Sequence, residues 1–158
     1  MNLVSDIEKI ASEPWLSFQL GGQHYAVLLN KVSEVIRDQL PTPVPGAAAD
    51  LLGICHLRGH IVPVMDGRRR LGLERASAPD PASVRIVVFA HDTHRVGLRV
   101  DAVGDLLQPK AAAIEPPPAR PARMDDPVQA VMGWQGGFVA LLDVARVCRL
   151  HRELKDVA

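Results

Sequence analysis

Residues 51–73 read LLGICHLRGHIVPVMDGRRRLGL, and this stretch decides the fold. Leu51 to Leu57 is apolar with breaks at every second residue, the mark of a half-buried strand. Arg58-Gly59 makes a tight turn, and Ile61 to Met65 returns as a second apolar run. Asp66 stands where a helix N-cap belongs, because its carboxylate can accept from the free amides of the next turn. Gly72 is placed to stop that turn. The stretch therefore predicts strand, turn, strand and a short helix. It holds no catalytic grouping. What it offers a partner is one arginine beside a glycine at a hairpin tip.

Upstream, residues 2–12 fit a short amphipathic helix, with Ser5 or Asp6 as cap and Ile7, Ile10 and Ala11 on one face. Residues 1–14 are thus an N-terminal helix and tail, ended by Pro14. Leu16, Phe18 and Leu20 alternate with polar residues, Gly21-Gly22 marks a hairpin, and Tyr25, Val27 and Leu29 lie on the returning strand. Val32 to Arg37 is a third strand carrying Glu34, and Pro41, Pro43, Pro45 and Gly46 mark a loop. Downstream, residues 74–83 have a linker's composition. Strands follow at Val84–Ala90 and Val96–Val100, about a turn at His91–His94, and at Val103–Leu107. Six prolines within 109–127 predict an extended segment that covers the surface rather than filling the core. Val128–Trp134 and Phe138–Leu142 pair about Gly136-Gly137. Asp143 caps a C-terminal helix over 143–158, with Val144, Val147, Leu150 (or His151) and Leu154 on its apolar side.

The chain repeats itself. At an offset of 71 residues, Phe18 meets Phe89, Tyr25 meets Val96, Val27 meets Leu98, Val32 meets Val103 and Glu34 meets Asp105. Near the end the offset becomes 77, and Gly59 meets Gly136, Ile61 meets Phe138 and Asp66 meets Asp143. Each half, about 15–73 and 84–143, holds five short strands closing on a capping Asp. Strands at this spacing suggest a small closed barrel, which removes exposed edges. A barrel of about 70 residues is marginal alone. Two packed together bury more, and a groove between them would seat a partner's helix or loop.

Composition narrows the function. The chain has 158 residues, 47% of them hydrophobic, enough for one real core. Eighteen basic and eighteen acidic residues cancel, which argues against non-specific attraction to nucleic acid or membranes. No apolar run reaches membrane-spanning length, and the N-terminus lacks a signal sequence, so a cytosolic protein is expected. Cys55 and Cys148 read as buried thiols, and the pairs His56/His60 and His91/His94 lack a third ligand, so no cofactor or metal is expected. Arg68 to Arg70 read as a solvated helix surface. No nucleophile–base–acid set or phosphate-binding glycine loop is present, so no enzyme is expected.

Several of these residues form one ordered set: Val32-Ser33-Glu34-Val35, Gly53, Leu57-Arg58-Gly59, Ile61, Pro63-Val64, Asp66, Leu71-Gly72-Leu73, Val96-Gly97-Leu98-Arg99-Val100-Asp101 and Leu141-Leu142-Asp143. The set resembles the CheW-like family of chemotaxis coupling proteins over about residues 15–150. The resemblance implies an all-β fold with short helices at the ends, two pseudo-symmetric five-stranded SH3-like barrels. It implies a non-catalytic cytoplasmic scaffold joining a CheA-like histidine kinase, through its regulatory domain, to the tips of methyl-accepting chemoreceptors. The alternative is an adaptor of a pilus-motility or other chemosensory-type pathway. Carried over by position, Val32, Glu34, Gly53, Leu57, Arg58 and Gly59 are the partner-binding residues. The chain departs from the family pattern at His56, where the pattern has Asn, and at Gly67, where it has Leu.

Overall fold

The computed structural model describes residues 3–73, 76–118 and 126–149. Helix α1 spans Leu3–Ala11. It begins at Leu3, so Ser5 and Asp6 lie inside it and do not cap it. Strands follow at β1 (Trp15–Leu20), β2 (Gln23–Leu28), β3 (Val32–Arg37), β4 (Leu51–Leu57) and β5 (His60–Asp66), then the single-turn helix α2 (Gly67–Arg70). The second half gives β6 (Arg85–His91), β7 (His94–Val100), β8 (Ala102–Leu107), the two-residue β9 (Ile114–Glu115), β10 (Val128–Trp134), β11 (Gly137–Leu142) and the single-turn helix α3 (Val144–Val147). The helix expected over 143–158 is seen as this one turn, and Leu150 and Leu154 lie outside the described residues.

The strands form two sheets. Sheet A runs β8-β1-β2-β11-β10-β9, and sheet B runs β3-β6-β7-β5-β4. This corrects the expected partition into consecutive halves 15–73 and 84–143. The β1–β2 hairpin joins the later strands, and the β6–β7 hairpin joins the earlier ones. The reason is burial on both faces. Phe18 and Leu20 on one face of β1 enter a core that also holds Val87, Phe89 and Leu98 from sheet B, while Trp15 on the other face fills sheet A's interior. Each exchanged hairpin is thus locked into one sheet and covered by the other. Sheet A has six strands rather than five because β9 adds a short pair to β10.

The repeat is visible in the pairing. β2 runs parallel to β11 with Ala140 opposite Tyr25, and β5 runs parallel to β7 with Val64 opposite Gly97. The two registers coincide when the halves are superposed at the sequence offsets of 71 and 77. Gly97 makes room for β6 instead, since a Cβ there would lie 2.8 Å from Ile86 Cγ2. Sheet B also closes on itself. Thr42, in the chain after β3, exchanges two 2.8 Å hydrogen bonds with Ile54 of β4, joining opposite ends of the strand order. Gly53 makes room for that crossing: its φ is +151°, and a Cβ would sit 2.2 Å from the Thr42 carbonyl oxygen.

The space between the sheets is packed core rather than an open groove. Phe18 stacks on Tyr25 there, with centroids 5.9 Å apart, among Met65, Val100, Leu142 and Val147. A cavity of about 260 Å³ opens beside it, lined by Leu28, Lys31, His91, Leu142, Asp143 and Val144. The proline-rich segment also departs from expectation: Pro109 and Pro127 are buried, and Ile114 enters sheet A's interior. No helix among the described residues is long and apolar enough to cross a membrane.

Two of the three consecutive arginines face inward, not into solvent as expected. Asp66 caps α2 by accepting from the Arg68 N–H at 3.0 Å. That cap sets the turn which aims Arg68 at Asp101, on which its guanidinium lies at 2.7 and 3.0 Å. Asp101 also accepts from the Gly21 N–H at 2.8 Å. Burial opposes its ionisation, but the hydrogen bonds from Arg68 and Gly21 and the charges of Arg68 and Arg99 outweigh that and hold its pKa below the ordinary carboxylate range. Arg70 is 4% exposed. It donates to the carbonyls of Val147 at 3.2 Å and Arg146 at 2.7 Å, satisfying acceptors at the end of α3. Val147 is its own counterpart in the repeat, so the two single-turn helices meet end to end at the pseudo-twofold axis. Only Arg69 is solvated, donating to the Ala49 carbonyl at 3.0 Å and paired with Asp66 at 3.6 Å.

Candidate partner-binding face

The hairpin tip between β4 and β5 follows from its turn chemistry. Arg58 has φ +50° and Gly59 φ +80°, a left-handed pair whose twist matches the strands it joins. Arg58 has a Cβ and costs about 1 kcal/mol in that conformation. The counterpart hairpin holds Gln135 at φ +47°, so this strain is a property of the repeated turn and not of the site.

Arg58 reaches across the closed sheet to Glu34 on β3, with Nε to carboxylate distances of 3.2 and 3.4 Å. The arginine side chain is 72% exposed and the glutamate side chain 21%. β3 and β4 end the strand order of sheet B, so the ion pair bridges its seam. An ion pair this exposed adds at most about 1 kcal/mol to stability. Beneath it Leu57 and Ile36 pack on Cys55, Val62, Ile86 and Val88, the interior of the second barrel. Burial pushes the Cys55 thiol's pKa up, and the nearby Asp38 charge adds to that.

Of the six expected residues, the structure brings Glu34, Leu57, Arg58 and Gly59 together. Gly53 lies on the same hairpin but acts through the Thr42 crossing. Val32 packs against the core between the sheets, and a bulge between it and Glu34 separates their pairings. His56 is exposed on β4, opposite Ile61. The Gly67 departure has a physical cause: a Cβ would lie 2.5 Å from the Arg99 carbonyl oxygen and 2.9 Å from Leu20, which fills the space itself.

Sequence reasoning missed two residues. Val35 is 39% exposed and Ile61 60%, the first next to Glu34 in sequence and the second three residues beyond Arg58. Their counterparts in the repeat are Leu106 and Phe138, exposed 57% and 67%. Four of the five exposed large hydrophobic residues among the described ones are therefore the same two positions used twice. The signal was available in the aligned repeat, where both positions are apolar on the solvent side of a strand in both halves. Phe138 also lines a cavity of about 630 Å³ with His24, Tyr25, Glu115, Pro116 and Val131.

Comparisons with known proteins agree with this architecture. A family model described as "CheW-like domain" matches residues 14–151. The chain is 33% identical to the chemotaxis protein CheW of Bacillus subtilis over 106 residues, covering 67% of each chain. It is 31% identical to the chemotaxis protein CheW of Rhizobium meliloti over 134 residues, covering 84% of each. Its structure is similar to that of the scaffolding protein TtCheW from Thermoanaerobacter tengcongensis, with a TM-score of 0.73 and 26% identity over 83% of this chain and 88% of that one.

Proposed function

This chain belongs to the CheW-like domain family, and from that premise we propose that it is a non-catalytic scaffold of chemotaxis signalling that couples a CheA-type kinase to chemoreceptor tips in the cytoplasm. The domain runs over about residues 15–150, a reading the family match supports. The kinase's regulatory domain, itself of this fold in the family, docks on the second barrel. The observation that carries this reading is the Arg58–Glu34 pair at a barrel seam, flanked in sequence by exposed Ile61 and Val35.

Apolar residues with an incompletely paired arginine are the composition of an interface centre. Ile61 and Val35 supply buried area. Arg58, which engages Glu34 through Nε alone and so keeps its four Nη N–H groups for a partner, supplies direction and register. Leu57 and Gly59 hold the tip, and Gly53 holds the strand beneath it. Val32, packed on the core between the sheets, holds the start of the strand that carries Glu34. The mechanism is geometric: one rigid body fixes kinase and receptor relative to each other, so receptor conformation biases the kinase. The repeat supports a scaffold role, because Leu106 and Phe138 give the other barrel an equivalent apolar face.

The test is binding to the regulatory domain of a CheA-like kinase from the same genome. Arg58→Glu and Ile61→Asp should each abolish binding while the unfolding transition stays within about 1 kcal/mol of the parent, as expected at exposed positions. Unfolding in step with lost binding would make these residues structural.

A further inference from the structure

Neither half of the chain completes a sheet by itself. Sheet A takes β1 and β2 from the first half and β8 to β11 from the second, while sheet B takes β3 to β5 from the first and β6 and β7 from the second. The pairs β1–β8, β2–β11, β3–β6 and β5–β7 all join one half to the other. So do the bonds of Arg68 to Asp101 and of Arg70 to the end of α3. The halves thus meet through a packed and specific surface, and the covalent link between them is one connection, residues 74–83.

That connection adds little packing of its own, since none of residues 76–83 is buried. Its two ends are anchored at one place. Arg68, seated on Asp101, donates to the carbonyls of Ala76 at 3.0 Å and Ser77 at 2.5 Å, and Ser83 Oγ lies 2.9 Å from the Asp101 carbonyl oxygen. Between these anchors the chain reverses on Asp80. Its carbonyl accepts from the Ser83 N–H at 3.0 Å and its carboxylate from the Ala82 N–H at 3.0 Å. Pro79 and Pro81 bias Ala78 and Asp80 towards extended backbone, so a straight path costs this loop little.

We propose that two copies of this chain exchange halves: the Ala78–Ala82 loop opens into a straight connector, and β1–β5 of each copy assemble with β6–β11 of the other into a closed dimer. Each of the two bodies then contains every contact between the halves, with one half supplied by the other copy. What is given up is the loop's own turn, so the exchange is governed by protein concentration. Glu34 and Arg58 both belong to the first half, and each body keeps a complete seam pair. The dimer is therefore a bivalent scaffold, its two equivalent faces tied by two connectors. The inference rests on the sheet topology and holds whether or not the seam pair binds a kinase.

The full-length protein is unfolded in denaturant and refolded at micromolar and at millimolar concentration, and its mass is read by size exclusion with light scattering. Refolding at millimolar concentration should give a dimer that persists on dilution, because return to monomer requires the halves to separate. Deleting Ala78–Ala82 removes the chain needed for the reversal and should give dimer at both concentrations. Charge reversal tells an exchanged dimer from a side-by-side one. Arg68→Asp and Asp101→Arg each place like charges together in a monomer. Refolded as a mixture they should form a heterodimer in which one body regains Arg68 on Asp101 and the other holds the reversed pair. Its unfolding midpoint should exceed that of either variant refolded alone. Monomer throughout in the parent and the deletion variant, or a mixture no more stable than its parts, would overturn the proposal.

Discussion

Replacing Arg70 with alanine tests whether the two halves are tied together at the pseudo-twofold axis. The side chain is 4% exposed and gives hydrogen bonds of 3.2 and 2.7 Å to the carbonyls that end α3. A hydrogen bond from a charged donor contributes about 1.5–3 kcal/mol. Two such bonds are partly offset by the desolvation of the guanidinium, which alanine does not require. The expected net loss is about 2–4 kcal/mol. For a chain of this length that lowers the thermal midpoint by roughly 5–15 °C. Arg70→Met keeps much of the buried stem and should lose less, the remainder measuring the carbonyls left without a donor. Arg69→Ala is the control: that side chain is 50% exposed, its pair to Asp66 spans 3.6 Å and its hydrogen bond to the Ala49 carbonyl, 3.0 Å, is exposed to water, so the loss should stay below about 1 kcal/mol. Denaturant unfolding of the three variants gives the answer. An Arg70→Ala loss no larger than that of Arg69→Ala would refute the reasoning.

Gly53→Ala should cost about 2 kcal/mol or more, because the new Cβ would sit 2.2 Å from the Thr42 carbonyl oxygen in a backbone conformation that favours glycine; the Thr42 and Ile54 amides should lose hydrogen-exchange protection first. Asp101 should govern part of the acid limb of stability. Its folded-state pKa lies below the unfolded one, so its contribution is complete above about pH 4 and is lost as pH falls through the depressed value. Unfolding curves between pH 6 and 2 should show a shallower acid dependence for Asp101→Asn. Cys148 is buried and its pKa is pushed up to about 12, first by burial, so it should stay unreactive to a thiol reagent at pH 8 until the protein unfolds.

Much of the fold was legible because it is written in period-two strands and turn residues. The segments 51–57 and 60–66, the turn at Arg58-Gly59 and the Asp66 cap all stand where pattern and chemistry placed them. The repeat was legible too, down to the change of offset. What the pattern could not carry was which sheet each hairpin joins. A strand buried on both faces, like β1 with Trp15 on one side and Phe18 on the other, reads the same in either sheet. The arginines of α2 were misjudged for a related reason. Three consecutive charges on one turn point in three directions, and only tertiary placement shows that two of them meet Asp101 and the end of α3. At the proposed face, the motif indicated Arg58 and Glu34 but not their contact, which links strands from opposite ends of the sheet order. Ile61 and Val35 escaped notice because an apolar residue in a strand is ordinarily assigned to the core.

The most direct test of the scaffold account is a binding titration of the purified protein against the regulatory domain of each CheA-like kinase encoded in its genome, with Arg58→Glu and Ile61→Asp measured alongside. The account predicts saturable binding to one of these domains, lost in both folded variants. Binding to none of them, or binding that both substitutions leave intact, would contradict it.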